Sequence, residues 1–171
     1  MTAMESNRNF YTNADLLRTF MCCTLVLVSG CHGTKKPQQQ VSIDLSVLAQ
    51  PHQIVTFNEV RKVDAIPETV LVQFQGGLAD PGQDFQSTDV IRGRPLPLRR
   101  LIIAGASQRY YILHYERGGI GRSWLLALFE LSDGKANVRW VSNTGPMTDL
   151  REVKTALESS KNTNELGRTG W

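Results

Sequence analysis

Residues 98–141 carry the pattern that decides the fold, and they read LRRLIIAGASQRYYILHYERGGIGRSWLLALFELSDGKANVRWV. In this stretch, short connections that contain glycine separate four runs rich in apolar, aromatic and β-branched residues, at 98–104, 110–116, 124–131 and 137–141. Connections of this length are typical of neighbouring antiparallel strands. Asp133-Gly134, between the last two runs, is a strong signal for a tight hairpin. The stretch therefore predicts an antiparallel β-meander.

The segment before the meander adds a fifth strand and an ambiguous region. Residues 41–47 alternate apolar and polar side chains, which is the period of a half-buried strand. Residues 53–63 have β-branched residues early and helix-compatible spacing later, so both structures stay open for them. Residues 76–97 are the longest irregular stretch, and loops of that length are often functional or mobile.

A short helix is expected between residues 53–63 and the irregular stretch 76–97. Asp64 is a capping type of residue, and Pro67 suits the first turn of a helix. Ile66, Val70 and Phe74 would then share one helical face. An alternating strand through Val70 and Phe74 is the alternative.

The chain after the meander predicts a second helix. Asp149 can cap it, Glu152 stands at the capping-box position, and Leu150, Val153 and Leu157 form a narrow apolar stripe. The elements together predict an α+β fold, in which one or two helices pack on one face of a sheet of four to five strands.

Composition bounds the function classes. The chain has 171 residues with a net charge of +3, too small an excess to indicate a nucleic-acid-binding protein. All three cysteines, Cys22, Cys23 and Cys31, lie near the N-terminus, so the rest of the chain has neither disulfides nor a cysteine-based zinc site. We expect no cofactor and no metal.

The N-terminal region has the features of an export signal. Arg18 precedes residues 19–30, an uncharged stretch too short for a membrane span, which needs about 18–20 residues. The stretch fits the apolar region of a signal peptide. It ends in Val28-Ser29-Gly30-Cys31, an aliphatic residue and two small residues before a cysteine.

This ending resembles the lipobox of bacterial lipoproteins. The resemblance implies cleavage before Cys31, lipidation of Cys31 and a palmitate-bearing anchor in the membrane. Because His32, and not Asp, follows that cysteine, it also implies sorting to the outer membrane, facing the periplasm, if the source is Gram-negative. An ordinary secretory peptide or a short core helix ending in Gly-Cys is the alternative.

The resulting organisation has four parts. They are a removed signal peptide at 1–30, a lipidated cysteine with a polar tether at 31–40, one globular domain at 41–160 and a polar, frayed tail at 161–171.

The first candidate site lies on the second run of the meander. On a strand, His114 and Glu116 face the same side, next to a glycine-rich turn that carries Arg117 and Arg122. An imidazole, a carboxylate and two guanidinium groups can serve acid–base chemistry or bind an anion. The alternative is a structural histidine with a Glu116–arginine ion pair that makes the turn rigid.

The second candidate site is a cationic segment that contains Arg92, Arg94, Arg99 and Arg100. Arginine forks match phosphate oxygens, so this segment could bind anionic lipids or cell-wall polymers. A solvated run of charge is the alternative.

These observations favour a membrane-anchored envelope lipoprotein with a binding domain. The expected partner is an envelope protein or a cell-wall polymer, bound through the 118–122 edge or the 76–100 segment. One alternative is a hydrolase or transferase centred on His114 and Glu116. Another is a structural tether that contacts the cell wall or anionic lipid through residues 92–100.

Overall fold

The computed structural model describes residues 38–48, 50–90 and 93–159. The predicted signal peptide, the lipidation site Cys31, most of the tether, Arg92 and the predicted tail at 161–171 lie outside the described residues.

The described chain forms a seven-stranded sheet and two α-helices, so the α+β class is confirmed. The strands are β1 (Gln40–Asp44), β2 (Ile54–Val60), β3 (Leu78–Ala79), β4 (Arg99–Ala106), β5 (Tyr110–Arg117), β6 (Ser123–Ser132) and β7 (Lys135–Thr144). The helices are α1 (Glu68–Leu71) and α2 (Leu150–Ser159), and two 3-10 helices cover Leu45–Leu48 and Val63–Ala65.

The sheet is larger than the four to five strands predicted. Its order is β1-β2-β4-β5-β6-β7 with antiparallel neighbours, and β3 pairs in parallel with the start of β4. The ambiguous residues 53–63 supply β2, and the irregular stretch 76–97 contains β3. A two-residue strand has too little periodicity to be recognised in a sequence.

The predicted meander is formed by β4, β5, β6 and β7. Asp133 and Gly134 have φ of 52° and 70°, so both central residues of the last hairpin are left-handed. This conformation matches the twist of two-residue hairpins and explains why the pair is a reliable signal.

Both faces of the sheet are covered, which corrects the prediction that the helices share one face. Helix α2 packs its buried Leu150, Val153 and Leu157 on the face that holds Ile112. Helix α1 packs its buried Val70 on the face that holds Leu113. The central strands are apolar on both sides, and an apolar face left in water would cost too much free energy.

The start of α2 follows the sequence signal of a capping aspartate. The Asp149 carboxylate accepts hydrogen bonds from the backbone N–H groups of Arg151 and Glu152, at 2.7 and 2.9 Å. The Glu152 carboxylate accepts from the backbone N–H of Thr148, one residue before the position that a capping box would use.

Among the described residues, no helix is long and apolar enough to cross a membrane.

Candidate functional site

The two candidate sites meet at one end of the sheet. The start of β4 lies beside the end of β5, with Arg99 opposite Arg117 and Arg100 opposite Glu116. Strand β6 begins at the same level, where Ser123 pairs with Arg117. We call this region, formed by residues 83–90, 93–100 and 116–124, the arginine end.

Glu116 is the centre of the arginine end. Its carboxylate accepts a hydrogen bond from Arg100 Nη2 at 2.6 Å and another from Arg122 Nε. The Glu116 side chain is only 2% exposed. Burial by itself would raise the pKa of this carboxyl, but the hydrogen bonds and charges of Arg122 and Arg100 outweigh burial and hold that pKa below its ordinary value.

Two aromatic rings support the arginines. The Arg100 guanidinium lies 4.6 Å from the centroid of the buried Phe85 ring, and the Arg122 guanidinium lies 5.6 Å from that of Trp124. The faces of aromatic rings attract cations at such distances. The arrangement therefore fixes both guanidinium groups around a single carboxylate.

The irregular segment and the glycine-rich turn form one surface. The Gly118 N–H donates to the Leu98 carbonyl at 3.3 Å, and the Gln86 N–H donates to the Pro97 carbonyl at 2.8 Å. A Cβ atom on Gly118 would lie 1.9 Å from the Gln86 carbonyl oxygen. Only glycine permits so close an approach.

Apolar side chains are exposed on this surface. Ile120, at the tip of the turn, is 97% exposed, and Val90, Leu98 and Leu96 are 54%, 44% and 39% exposed. Val90 and Leu96 line a groove of about 550 Å³ together with residues 85–89. Four of the six large apolar side chains that are exposed in the described residues thus lie at the arginine end.

His114 and Glu116 share one face of β5, as predicted, but their hydrogen bonds go to different partners. His114 is 1% exposed; its Nδ1 lies 3.0 Å from the Leu125 carbonyl, and its Nε2 accepts from the Met147 N–H at 3.2 Å. The Nδ1–H tautomer, assigned from these partners, satisfies both nitrogens of a neutral ring. Burial lowers the pKa of His114 and favours that neutral form.

The predicted cationic run 92–100 is divided by the fold. Arg94 is exposed and Arg100 joins Glu116, whereas Arg99 points into the core and is 3% exposed. An Arg99 Nη1–H donates to the Gln75 carbonyl, and its guanidinium lies 5.9 Å from the Phe74 ring centroid. Burial lowers the pKa of Arg99, and its Nε has no hydrogen-bond partner in the part of the chain that the structure describes.

Sequence reasoning missed two contributors to the surface, Phe85 and Ile120. Phe85 lies in an irregular segment with no period, so nothing marked it as buried beneath Arg100. Ile120 carried a usable signal, because a large apolar residue flanked by glycines in a turn has little to bury it.

No family model matches the chain, and no curated protein and no solved structure matches it. Within the described residues, no group of three His, Cys, Asp or Glu side chains is placed to hold a metal ion. The arginine end and the sequence around Cys31 are therefore the features of the chain that bear on its function.

Proposed function

We propose that this protein is a small lipid-anchored cell-envelope lipoprotein whose folded domain is a binding module. Cys31, after Val28-Ser29-Gly30, would carry the lipid, and β1 begins nine residues later at Gln40. In a Gram-negative source the domain would face the periplasm from the outer membrane. A polar tether of that length keeps a domain close to the bilayer without fixing its orientation.

The arginine end is the observation that supports a binding role. It combines exposed apolar side chains with arginines whose positions are fixed by Glu116, Phe85 and Trp124. Preorganised groups of this kind lose little side-chain entropy when they bind a ligand. Glu116 and His114 already have partners inside the protein, which suits recognition better than proton transfer.

The anchor is tested by labelling growing cells with a radioactive fatty acid. The wild-type chain should take up label and fractionate with membranes, and Cys31→Ala should lose both properties. Cys22→Ala is the matched control, because it removes a neighbouring cysteine that does not follow small residues, and it should be labelled like the wild type. An unlabelled wild-type chain that accumulates stably would overturn the proposal.

The hydrolase or transferase alternative stays a prediction with a clear requirement. A catalytic His114 has to expose a ring nitrogen to substrate, so it must give up its bond to either Leu125 or Met147. No described contact favours breaking either bond over the arrangement in which both ring nitrogens are hydrogen-bonded.

A further inference from the structure

We infer that the arginine end docks on an anionic phospholipid bilayer, with Ile120 entering the interface and the exposed arginines contacting lipid phosphates. This inference rests on the proposed function, because the acyl anchor is what brings a bilayer next to the domain. The anionic bilayer is the partner that we assign to the arginine end.

The turn that carries Ile120 has the form of an insertion loop. Ile120 is 97% exposed and lies between Gly119 and Gly121, so no neighbouring side chain covers it. The base of the turn is fixed, since Gly118 is hydrogen-bonded to Leu98 and packs against the backbone of Gln86. Transfer of such a side chain from water into an apolar phase is favourable and needs no rearrangement of the fold.

The surroundings of Ile120 suit a membrane interface. Val90, Leu96 and Leu98 add exposed apolar surface to the same end of the sheet. Trp124 is half-buried beneath Arg122 and is the second residue of β6, the strand that follows the turn. Tryptophan is enriched where membranes meet water, because its ring is apolar and its N–H is polar.

The charges at this end leave a cationic excess in contact with solvent. The basic side chains that reach solvent are Arg94, Arg100, Arg117 and Arg122, whereas Arg99 points into the core; the acidic side chains are Asp84, Asp89 and Glu116. Glu116 is buried, and Arg122 contacts it through Nε while keeping 54% of its side chain exposed. Guanidinium groups bind phosphate oxygens in forked pairs, so the exposed arginines match lipid headgroups.

The direction of β1 leads the tether back toward the arginine end. Strand β4 starts at the arginine end; β2 runs antiparallel to β4 and β1 antiparallel to β2, so β1 runs away from that end. The chain from Cys31 enters β1 at Gln40, which is level with Asn58 and through it with Ala106, the last residue of β4, and the chain before Gln40 lies on the side toward Arg99. Seven strand residues, roughly 23 Å, separate Ala106 from Arg99. The nine residues from Cys31 to Gln40 reach about 30 Å when extended, which exceeds that length and lets the anchor reach the bilayer that Ile120 meets.

The experiment places a fluorescent probe at each end of the sheet. Beyond residue 31 the chain has no cysteine, and lipid blocks the Cys31 thiol of the mature protein, so an introduced cysteine is the only site for a maleimide dye. Ile120→Cys and Ile54→Cys are matched, because both isoleucines are exposed and they lie at opposite ends of the sheet. Each labelled lipoprotein is reconstituted into phosphatidylethanolamine vesicles with phosphatidylglycerol and brominated acyl chains.

The expected result is quenching of the dye at position 120 and none at position 54. Arg94→Gln and Arg122→Gln should each lower the docked-to-undocked ratio about fivefold, since a basic residue near an anionic surface contributes about that factor. Lys135→Gln, at the opposite end of the sheet, should leave the ratio unchanged.

The two proposals fail in different ways. If the wild-type protein itself takes up the dye, Cys31 carries no lipid, and both the proposed function and this inference are overturned. If only the cysteine variants are labelled but the dye at 120 stays in water, the bilayer is not the partner, and a protein or polymer partner is indicated. Equal quenching without phosphatidylglycerol would overturn the role of the arginines.

Discussion

At the scale of single residues, Glu116 determines the geometry of the arginine end. It brings together Arg100 from the predicted cationic segment and Arg122 from the glycine-rich turn, which the sequence presented as separate candidates. A buried carboxylate with two charged donors is costly to change, because removing it leaves cations near the interior without a counter-charge.

Glu116→Gln should lower the free energy of unfolding by about 1–3 kcal/mol, because it weakens two charged hydrogen bonds at a buried position. Arg122→Gln should cost less, since that side chain is largely in water. Urea unfolding followed by tryptophan fluorescence measures both changes. A larger loss for Arg122→Gln than for Glu116→Gln would show that the carboxylate is not the central partner.

At the scale of elements, the long segment before β4 is shaped by close contacts with the turn after β5. Gly118 allows the contact, and Arg100 adds a hydrogen bond to the Gln83 carbonyl at 3.3 Å. A segment without regular structure is thus held by its neighbours and not by its own propensities.

Gly118→Ala should displace residues 86–87 and cost about 1–3 kcal/mol of stability, since the new methyl group would overlap the Gln86 carbonyl. Gly121→Ala is the control from the same turn, because a Cβ there meets open space. Hydrogen exchange of the Gln86 amide should accelerate only in the Gly118 variant. Equal exchange in both variants would contradict the proposed contact.

The elements that sequence predicted well are those with local signals. The hairpin at Asp133-Gly134 and the apolar stripe of α2 depend on residues close together in the chain. Strand β3 and the burial of Phe85 depend on distant partners, and no local periodicity of apolar residues indicates them. Likewise, the pattern placed His114 and Glu116 on one face but contained no information on the atoms that each would contact.

At the scale of the whole molecule, one sheet separates two apolar cores, and His114 is a buried titratable group on the face that α2 covers. Its ring contacts Leu125 of β6 and Met147 of the segment between β7 and α2. A proton on Nε2 would remove the acceptor for the Met147 N–H. The link between the sheet and the segment that leads into α2 therefore depends on a neutral ring.

Stability should fall as the pH drops below about 6.5, the ordinary pKa of histidine. The folded state lowers the pKa of His114, so the unfolded chain binds the proton first and is favoured by acid. His114→Gln should flatten the dependence between pH 7 and 5. Glu116 adds a loss below its ordinary pKa of 4.5, because the fold lowers its pKa too.

The strand order also bears on how the polypeptide is made. Ribosomes produce the N-terminal end first, so β1 and β2 are synthesised before β4, the strand that pairs with β2. In that pairing Val60 lies opposite Ala104, 44 residues further along the chain. The apolar face of Val41, Ile43, Val55 and Phe57 therefore waits uncovered until β4 and finally α2 have been synthesised. A chaperone that recognises exposed apolar surface would bind a nascent chain of this protein during that interval, and its binding site would disappear when the last helix packs.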